Sequence, residues 1–146
     1  MATVLLVDDD YDTLWPLQLA LEAMGHHVVL AENGQVALSC TTRVLPDLVV
    51  TDWNMPVMDG IELSERLRCF PAFARVPLLL VSGETPPPSA RRLYDAILQK
   101  PVDPSELARA ANLFLSRRIG ANRISQLNPL PPTVSRWQAI DPRSWP

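Results

Sequence analysis

Polar side chains that could bind a metal ion or act as nucleophiles follow four short apolar runs of the sequence. LLV is followed by two aspartates, LVVT by one aspartate, LLLV by a serine and ILQ by a lysine, namely Asp8, Asp9, Asp52, Ser82 and Lys100. Three carboxylates that meet at one place repel each other, and a single ammonium group cannot neutralise them all. A hard divalent cation with oxygen ligands and bound waters, such as Mg²⁺, relieves that repulsion.

Lys100 is the only lysine of the chain, whose other twelve basic residues are arginines. An ammonium group is a compact point charge on a flexible stem, and it suits contact with a phosphate oxygen. Pro101 comes next and restricts the loop that follows. Asp52 stands alone after its apolar run, whereas Asp8 and Asp9 form an adjacent pair. We therefore predict Asp52 as a nucleophile and the pair as metal ligands, an arrangement typical of phosphoryl transfer to a carboxylate.

Apolar runs and amphipathic segments alternate along the chain. The runs predict five buried strands, at Val4–Val7, Val28–Ala31, Leu48–Val50, Leu78–Val81 and Ala96–Leu98. The segments between and after them predict helices, at Thr13–Met24, Gly34–Thr42, Gly60–Phe70, Ser89–Asp95 and Pro104–Arg118. Gly25 suits the end of the first helix, and Asp103 with Pro104 suits the start of the last.

The apolar runs are apolar at every position rather than at every second one. Such strands are covered on both faces, which predicts an α/β fold with a parallel sheet between two layers of helices. Right-handed crossovers then bring the carboxyl ends of all five strands to one edge, where ligands of such sheets bind. The polar residues that follow the strands are therefore expected to converge on that edge.

Length and composition predict one ordinary domain, since the chain has 146 residues and is 47% hydrophobic. No apolar run reaches the length of a membrane span, and the beginning, MATVLLVDDD, is too acidic for a signal peptide. We expect a cytoplasmic protein without membrane insertion. Cys40 and Cys69 stand far apart with no histidine at ligand spacing, which favours reduced thiols over a zinc site or a disulfide.

Charge divides the chain into two regions. Residues 116–146 carry five arginines and one aspartate, a net charge of +4, whereas residues 1–115 carry 8 basic and 15 acidic groups, a net charge of −7. The last stretch is also rich in proline, so we predict a tail at 119–146 after a domain at 1–118. The tail is too short for a helix-turn-helix module, and no direct nucleic-acid contact is expected. Trp137 and Trp145 suggest a docking segment, with a solvated tail as the alternative.

The motifs around these polar residues resemble the receiver domains of two-component response regulators. VDDD ends the first strand, D-x-x-M-P-x-M-D-G follows the third, VSG the fourth and KP the fifth, all in the family's order. The resemblance covers about residues 2–118, and residues 52–60, DWNMPVMDG, are especially similar to the chemotaxis branch. It implies a doubly wound, flavodoxin-like sheet with strand order 2-1-3-4-5 and helices on both faces.

The resemblance also implies a function. Asp52 would accept a phosphoryl group from the phosphohistidine of a sensor histidine kinase or phosphotransfer protein, by self-catalysed transfer, and would later lose it by autodephosphorylation. Mg²⁺ would be held by Asp8, Asp9, Asp52 and the backbone carbonyl of Asn54, with Lys100 beside the phosphoryl group. The protein would be a bacterial signalling switch without a DNA-binding output, acting on a downstream protein partner and able to form a homodimer.

Two features depart from the family pattern. Ile97 stands where the family usually has the aromatic residue that responds to the switch hydroxyl, here Ser82, next to which Gly83 would leave the approach open. The segment between the fourth and fifth strands is short and contains ETPPPSA, whose consecutive prolines favour extended chain. We therefore predict a shortened fourth helix.

Two other functions remain compatible with the residues. A haloacid-dehalogenase-like phosphatase would use Asp8 as nucleophile and Asp10 as acid or base. A receiver-like adaptor would bind partners without being phosphorylated, although it would have no need to crowd three carboxylates together.

Overall fold

Strands and helices alternate in a computed structural model of the chain, which describes residues 2–127, with side chains described to residue 117. The strands are β1 (Thr3–Val7), β2 (His27–Ala31), β3 (Leu48–Asp52), β4 (Leu78–Ser82) and β5 (Ala96–Gln99). The α-helices are α1 (Tyr11–Ala23), α2 (Gly34–Cys40), α3 (Gly60–Arg68) and α4 (Pro104–Leu127). Two 3-10 helices cover Pro71–Phe73 and Pro88–Leu93.

All five strands are parallel and lie in the order β2-β1-β3-β4-β5. This confirms the predicted doubly wound sheet, in which β2 lies on one side of β1 and β3, β4 and β5 lie on the other. The register aligns the carboxyl ends, since Val7 pairs with Thr51, Asp52 with Val81 and Ser82 with Gln99. β3 and β4 are slightly longer than predicted, so Asp52 and Ser82 are the last residues of their strands.

Successive residues of each strand enter two separate hydrophobic cores. On one face, Val4 and Leu6 pack with α1 and α4; on the other, Leu5 and Val7 pack with α2 and α3. α1 and α4 each contribute a row of buried side chains at helical spacing, namely Leu14, Leu17, Leu21, Leu107, Ala111 and Leu115. Each buried leucine contributes about 1.5–3 kcal/mol of transfer free energy. The continuous apolar runs therefore follow from burial on both faces.

Side-chain caps fix where the helices begin. Asp10, Asn33 and Asp59 each accept a hydrogen bond from a backbone N–H of the first turn of α1, α2 and α3. Asp103 accepts one from Ser105 N at 2.9 Å before α4, as predicted. Gly25 follows α1 with φ of +88°, a left-handed conformation that favours glycine at a helix end.

The segment between β4 and β5 contains only the six-residue 3-10 helix Pro88–Leu93, which confirms the shortened fourth helix. Its amino end is proline-rich, and prolines lack the N–H donors that an α-helix needs. The segment is held from α3 by Arg68, whose guanidinium donates hydrogen bonds to the carbonyl of Leu93. The same group also donates to carbonyls in the α3–β4 connection, those of Phe73, Ala74 and Val76.

The predicted end of the last helix at Arg118 is wrong, because α4 continues to Leu127. Residues 119–127 contain no proline, and the single Gly120 does not stop the helix; the first proline beyond them is Pro129, which disfavours helix at the residue before it. The predicted boundary between domain and tail remains a prediction, and residues 128–146 lie outside the described residues. Within residues 2–127, no helix combines the length and apolar character required to cross a membrane.

The turn between β3 and α3 packs tightly against the end of β3. Gly60 N donates a hydrogen bond to Trp53 O at 2.8 Å, and a Cβ added to Gly60 would overlap the carbonyl oxygen of Asp52. Val57 in the same turn has φ of +72°, which for a β-branched residue stores about 1–3 kcal/mol of strain. The turn is therefore set by tertiary packing against the backbone of Asp52.

Gly60→Ala is expected to lower the free energy of unfolding by about 1–3 kcal/mol, because the added methyl meets backbone that cannot move freely. In an unobstructed helix the same change would be stabilising. Gly83→Ala is the matched control, since a Cβ there meets no atom within 4 Å. Urea unfolding of both variants measures the difference. Equal stability of the two variants would contradict the close approach of Gly60 to Asp52.

Arg68→Met is expected to lower the free energy of unfolding by about 2–3 kcal/mol, because carbonyls of two loops lose their donor while the aliphatic stem is kept. Arg66→Met is the control, as Arg66 makes only an exposed ion pair with Glu62 at 3.5 Å among the contacts described. Hydrogen exchange should accelerate at residues 88–95 in the first variant alone. Similar exchange in both variants would show that Arg68 does not hold this segment.

Candidate functional site

Four of the predicted site residues meet at the carboxyl edge of the sheet. Oxygens of Asp8, Asp9 and Asp52 all lie within 4.8 Å of one another. The Lys100 Nζ lies 3.0 Å from Asp52 Oδ2 and 3.6 Å from Asp8 Oδ2. Asp8 and Asp52 are buried, whereas Asp9 is exposed. Groups separated by more than ninety residues of sequence thus form one cluster of three acids and one amine.

Backbone hydrogen bonds between neighbouring strand ends hold this cluster in place. Lys100 N donates to Ser82 O at 3.0 Å, and Trp53 N donates to Val81 O at 3.0 Å. Asp10 N donates to Asp8 Oδ1 at 2.9 Å, which orients that carboxylate from the start of α1. The Lys100–Pro101 peptide bond is cis. The side chains are therefore positioned at the carboxyl ends of three strands, β1, β3 and β5.

Burial dominates the electrostatics of the two inner carboxyls. Burial raises the pKa of Asp8 to about 6, and the charge of Asp52 adds to the rise, while the N–H of Asp10 and the Lys100 ammonium oppose it. Burial also raises the pKa of Asp52, against the hydrogen bond from Lys100. For Lys100, burial alone would lower the pKa, but the carboxylates of Asp52 and Asp8 outweigh it and the pKa is raised. The cluster is therefore short of positive charge.

The donor set fits Mg²⁺. All three side chains offer carboxylate oxygens, and neither nitrogen nor sulfur ligands belong to the cluster. A single ammonium group stands against three carboxyl groups, and the pKa of Asp8 is raised to about 6, chiefly by burial and further by the charge of Asp52. Few protein ligands leave positions for water, which Mg²⁺ retains in its proteins. Asn54, whose backbone carbonyl is the fourth predicted ligand, lies two residues after Asp52 in the β3–α3 turn, and its side chain is exposed.

Ser82 ends β4, the strand next to Asp52, and is buried. Its hydroxyl donates to Glu84 O at 2.7 Å and accepts from Glu84 N at 2.9 Å, so in this conformation it closes a turn of its own loop. Gly83 lies within that turn, and an added Cβ would meet nothing within 4 Å. Ile97, in the middle of β5, is 41% exposed. It therefore lies on the surface of the edge strand.

A cavity of about 560 Å³ opens beside Lys100, between the beginnings of α1 and α4. Its lining combines polar groups at the rim with apolar side chains, namely Asp10, Thr13, Pro16, Leu17, Lys100, Pro101, Val102 and Pro104. Because Asp52 is only 6% exposed, access to its carboxylate is restricted. The cavity gives Lys100 an open side toward α1.

Some contacts of the site could not be found from residue types. The partners of Ser82 are the backbone groups of Glu84, and the partner of Asp8 is the backbone N–H of Asp10; backbone donors are the same at every residue and leave no signal in the sequence. The capping role of Asp10 could have been predicted from the sequence, because an aspartate directly before a helix, with Thr13 three residues later, favours an N-cap. Asp10 Oδ2 indeed accepts from Thr13 Oγ1 at 2.9 Å.

Comparison with known proteins identifies the family. The family described as "Response regulator receiver domain" matches residues 4–112. A protein of Leptolyngbya boryana known as "Uncharacterized 14.6 kDa protein in sodA1 3'region" is 41% identical over 115 residues, which cover 76% of this chain and 88% of that protein. Sporulation initiation phosphotransferase F of Bacillus subtilis is 32% identical over 77% of this chain and 92% of its own length.

The fold is also shared with solved structures. Chemotaxis response regulator CheY4 of Vibrio cholerae superposes with a TM-score of 0.73 at 29% identity, covering 78% of this chain and 98% of that one. Three other curated relatives are longer proteins, of which this chain spans 12–52%. The matched residues include the whole carboxylate cluster and Lys100. From its sequence, its sheet and these relatives together, the chain belongs to the family of response regulator receiver domains.

Proposed function

We propose that the protein is a phosphorylation switch in which Asp52 accepts a phosphoryl group from a phosphohistidine, with Mg²⁺ as cofactor. The observation that carries this proposal is the position of the Lys100 ammonium, 3.0 Å from Asp52 and 3.6 Å from Asp8, within a cluster of three carboxylates. The donor is a sensor histidine kinase or a phosphotransfer protein. The compartment is the bacterial cytoplasm, where such donors present their phosphohistidines.

The chemistry follows from the charges. A carboxylate oxygen of Asp52 attacks phosphorus, the P–N bond to the donor imidazole breaks, and that imidazole keeps the electron pair of the broken bond. Lys100 orients Asp52 before transfer and faces the phosphoryl oxygens afterwards. Asp8, Asp9, Asp52 and the backbone carbonyl of Asn54 would hold Mg²⁺, which when bound supplies neutralising charge for those oxygens. In autodephosphorylation, water attacks phosphorus, the P–O bond to Asp52 breaks, the Asp52 carboxylate regains the electron pair, and inorganic phosphate leaves.

The donor is proposed to approach over α1. Asp52 is nearly buried, and the cavity beside Lys100 opens between the first turns of α1 and α4. Tyr11 and Trp15 lie one helical turn apart on α1 and are 64% and 54% exposed. Exposed aromatic side chains next to a restricted site are suited to hold a protein partner.

The response is proposed to begin at Ser82. Its hydroxyl now bonds the backbone of Glu84, and a phosphoryl group on Asp52 would compete for it as a charged acceptor. If the hydroxyl turned toward the phosphoryl group, its two hydrogen bonds to the backbone of Glu84 would be lost. The loop that leads into the 3-10 helix Pro88–Leu93 would then be free to change conformation. Ile97 is aliphatic and exposed, so the usual aromatic response is absent at that position. The output, to a downstream protein or in a homodimer, is therefore proposed to depend on this loop and β5.

Phosphorylation should add one phosphoryl group to the chain in the presence of Mg²⁺ and a small phosphodonor such as acetyl phosphate, and Asp52→Asn should abolish it because the nucleophile is lost. Asp12→Asn, at an exposed position of α1, is the matched control and should behave as the unchanged chain. Intact-mass spectrometry followed by peptide mapping locates the group. Modification of Asp8 instead would support a phosphatase with that nucleophile. The absence of any adduct, also with histidine-kinase donors, would support a non-phosphorylated adaptor.

Mg²⁺ affinity should fall about tenfold between about pH 7 and about pH 5. The pKa of Asp8 is raised to about 6, so the carboxyl is mostly ionised at the higher pH and mostly protonated at the lower, where the ion must displace a proton. Titration with Mg²⁺ can be followed by the emission of Trp53, which adjoins Asp52, with Trp53→Phe as the control for the other tryptophans. Affinity that stays constant over this range would contradict the participation of Asp8.

A further inference from the structure

α1 presents to solvent an apolar stripe that is separate from its buried leucines. The α1 stripe consists of Tyr11, Trp15 and Leu19, which lie four residues apart and so share one face of the helix. Their exposed fractions are 64%, 54% and 49%. Residues 10–23, which comprise α1 and its capping residue, contain three acidic residues, Asp10, Asp12 and Glu22, and no basic one. The surface therefore suits a ligand that combines apolar side chains with positive charge.

α4 lies beside α1 and extends beyond it. The two helices pack together and begin on either side of the same cavity, and both follow the carboxyl ends of strands, so they run in the same direction. With 24 residues α4 is about 36 Å long, whereas the 13 residues of α1 span about 20 Å. α4 therefore ends about 16 Å beyond the end of α1.

The sequence after α4 has the chemistry that the α1 stripe requires. Residues 135–137 are Ser-Arg-Trp and residues 143–145 are Arg-Ser-Trp, two triplets of the same composition eight residues apart. Each joins an aromatic side chain to a cation, and Asp141 is the single acid in 128–146. These residues lie outside the described part of the chain.

The length of this segment allows it to return to α1. The ten residues 128–137 can span about 33 Å when extended, twice the distance from the end of α4 back to the end of α1. The next eight residues can easily cover the roughly 12 Å between Leu19 and Tyr11 along the helix. Because the segment is tethered, its effective concentration at the stripe is in the millimolar range, and a weak contact is enough.

We propose that residues 128–146 fold back along α4 and bind the α1 stripe through Trp137 and Trp145, with Arg136 and Arg143 near the acidic residues of α1. The segment then covers the surface over which the phosphodonor protein approaches. This consequence rests on the proposed function, whereas the contact itself does not. The tail would act as an intramolecular competitor of the donor.

The contact is tested in the full chain by the double variant Trp137→Ala/Trp145→Ala. The indole N–H signal of Trp15 and the backbone amide signals of α1 should shift in a ¹⁵N correlation spectrum, while the indole signal of Trp53 stays in place. Leu19→Ala should shift the signals of residues 128–146, whereas Leu45→Ala, at another exposed leucine before β3, should leave them unchanged. Unchanged α1 signals would overturn the proposal. Shifts that depend on protein concentration would show instead that a second copy occupies the stripe.

Competition is tested by phosphotransfer to the same double variant. If the tail covers the stripe nine-tenths of the time, its release should raise the transfer rate from a phosphorylated kinase domain about tenfold at subsaturating donor concentration. The rate from acetyl phosphate should not change, because that donor needs no docking surface. An equal rate from the kinase domain would refute competition even if the spectra show the contact. Failure of both donors with the unchanged chain would refute phosphorylation of Asp52 itself.

Discussion

The constraint that the fold has to meet is the electrostatic repulsion among three carboxylates, two of them buried, that one ammonium group only partly offsets. Asp8 and Asp52 are buried, and Lys100 alone stands between them. Burial disfavours the ionised forms of both carboxyls, and repulsion between the neighbouring acids disfavours them further. A bound cation would therefore stabilise the ionised cluster. In the proposed function, Mg²⁺ would supply the positive charge that the side chains lack. The rest of the fold keeps the acids from moving apart.

The sheet provides that restraint. Parallel strands end on one edge, and hydrogen bonds between neighbouring strand ends fix the loops that carry Asp52 and Lys100. Gly60 brings α3 against the carbonyl of Asp52, where a larger residue would not fit. Two hydrophobic cores, one on each face, make the sheet rigid enough to hold carboxylates that repel each other. Relief of the repulsion by local unfolding would disrupt both cores.

The surface around this rigid centre differs from the usual arrangement in two places. Between β4 and β5 a six-residue 3-10 helix, fastened by Arg68, replaces the fourth helix, and Ile97 replaces an aromatic side chain. At the other side, α4 reaches Leu127 and leads into a segment with two arginine and tryptophan triplets. The carboxylate cluster thus follows the motifs of the family, while the β4–β5 segment and position 97 depart from them.

The sequence by itself determined the sheet, the two layers of helices and the residues of the carboxylate cluster. Continuous apolar runs require burial on both faces, and parallel strands place whatever follows them on one edge, so Asp8, Asp9, Asp52 and Lys100 could be assigned before any coordinates. Only the tertiary structure decided which groups Ser82 and Asp8 bond, how closely Gly60 approaches Asp52, and which carbonyls Arg68 binds. These contacts involve backbone atoms, which are alike at every position and are distinguished only by where the fold places them. The extension of α4 past Arg118 belongs to the same class, because residues 119–127 carry no strong stop signal and no apolar face that defines a period.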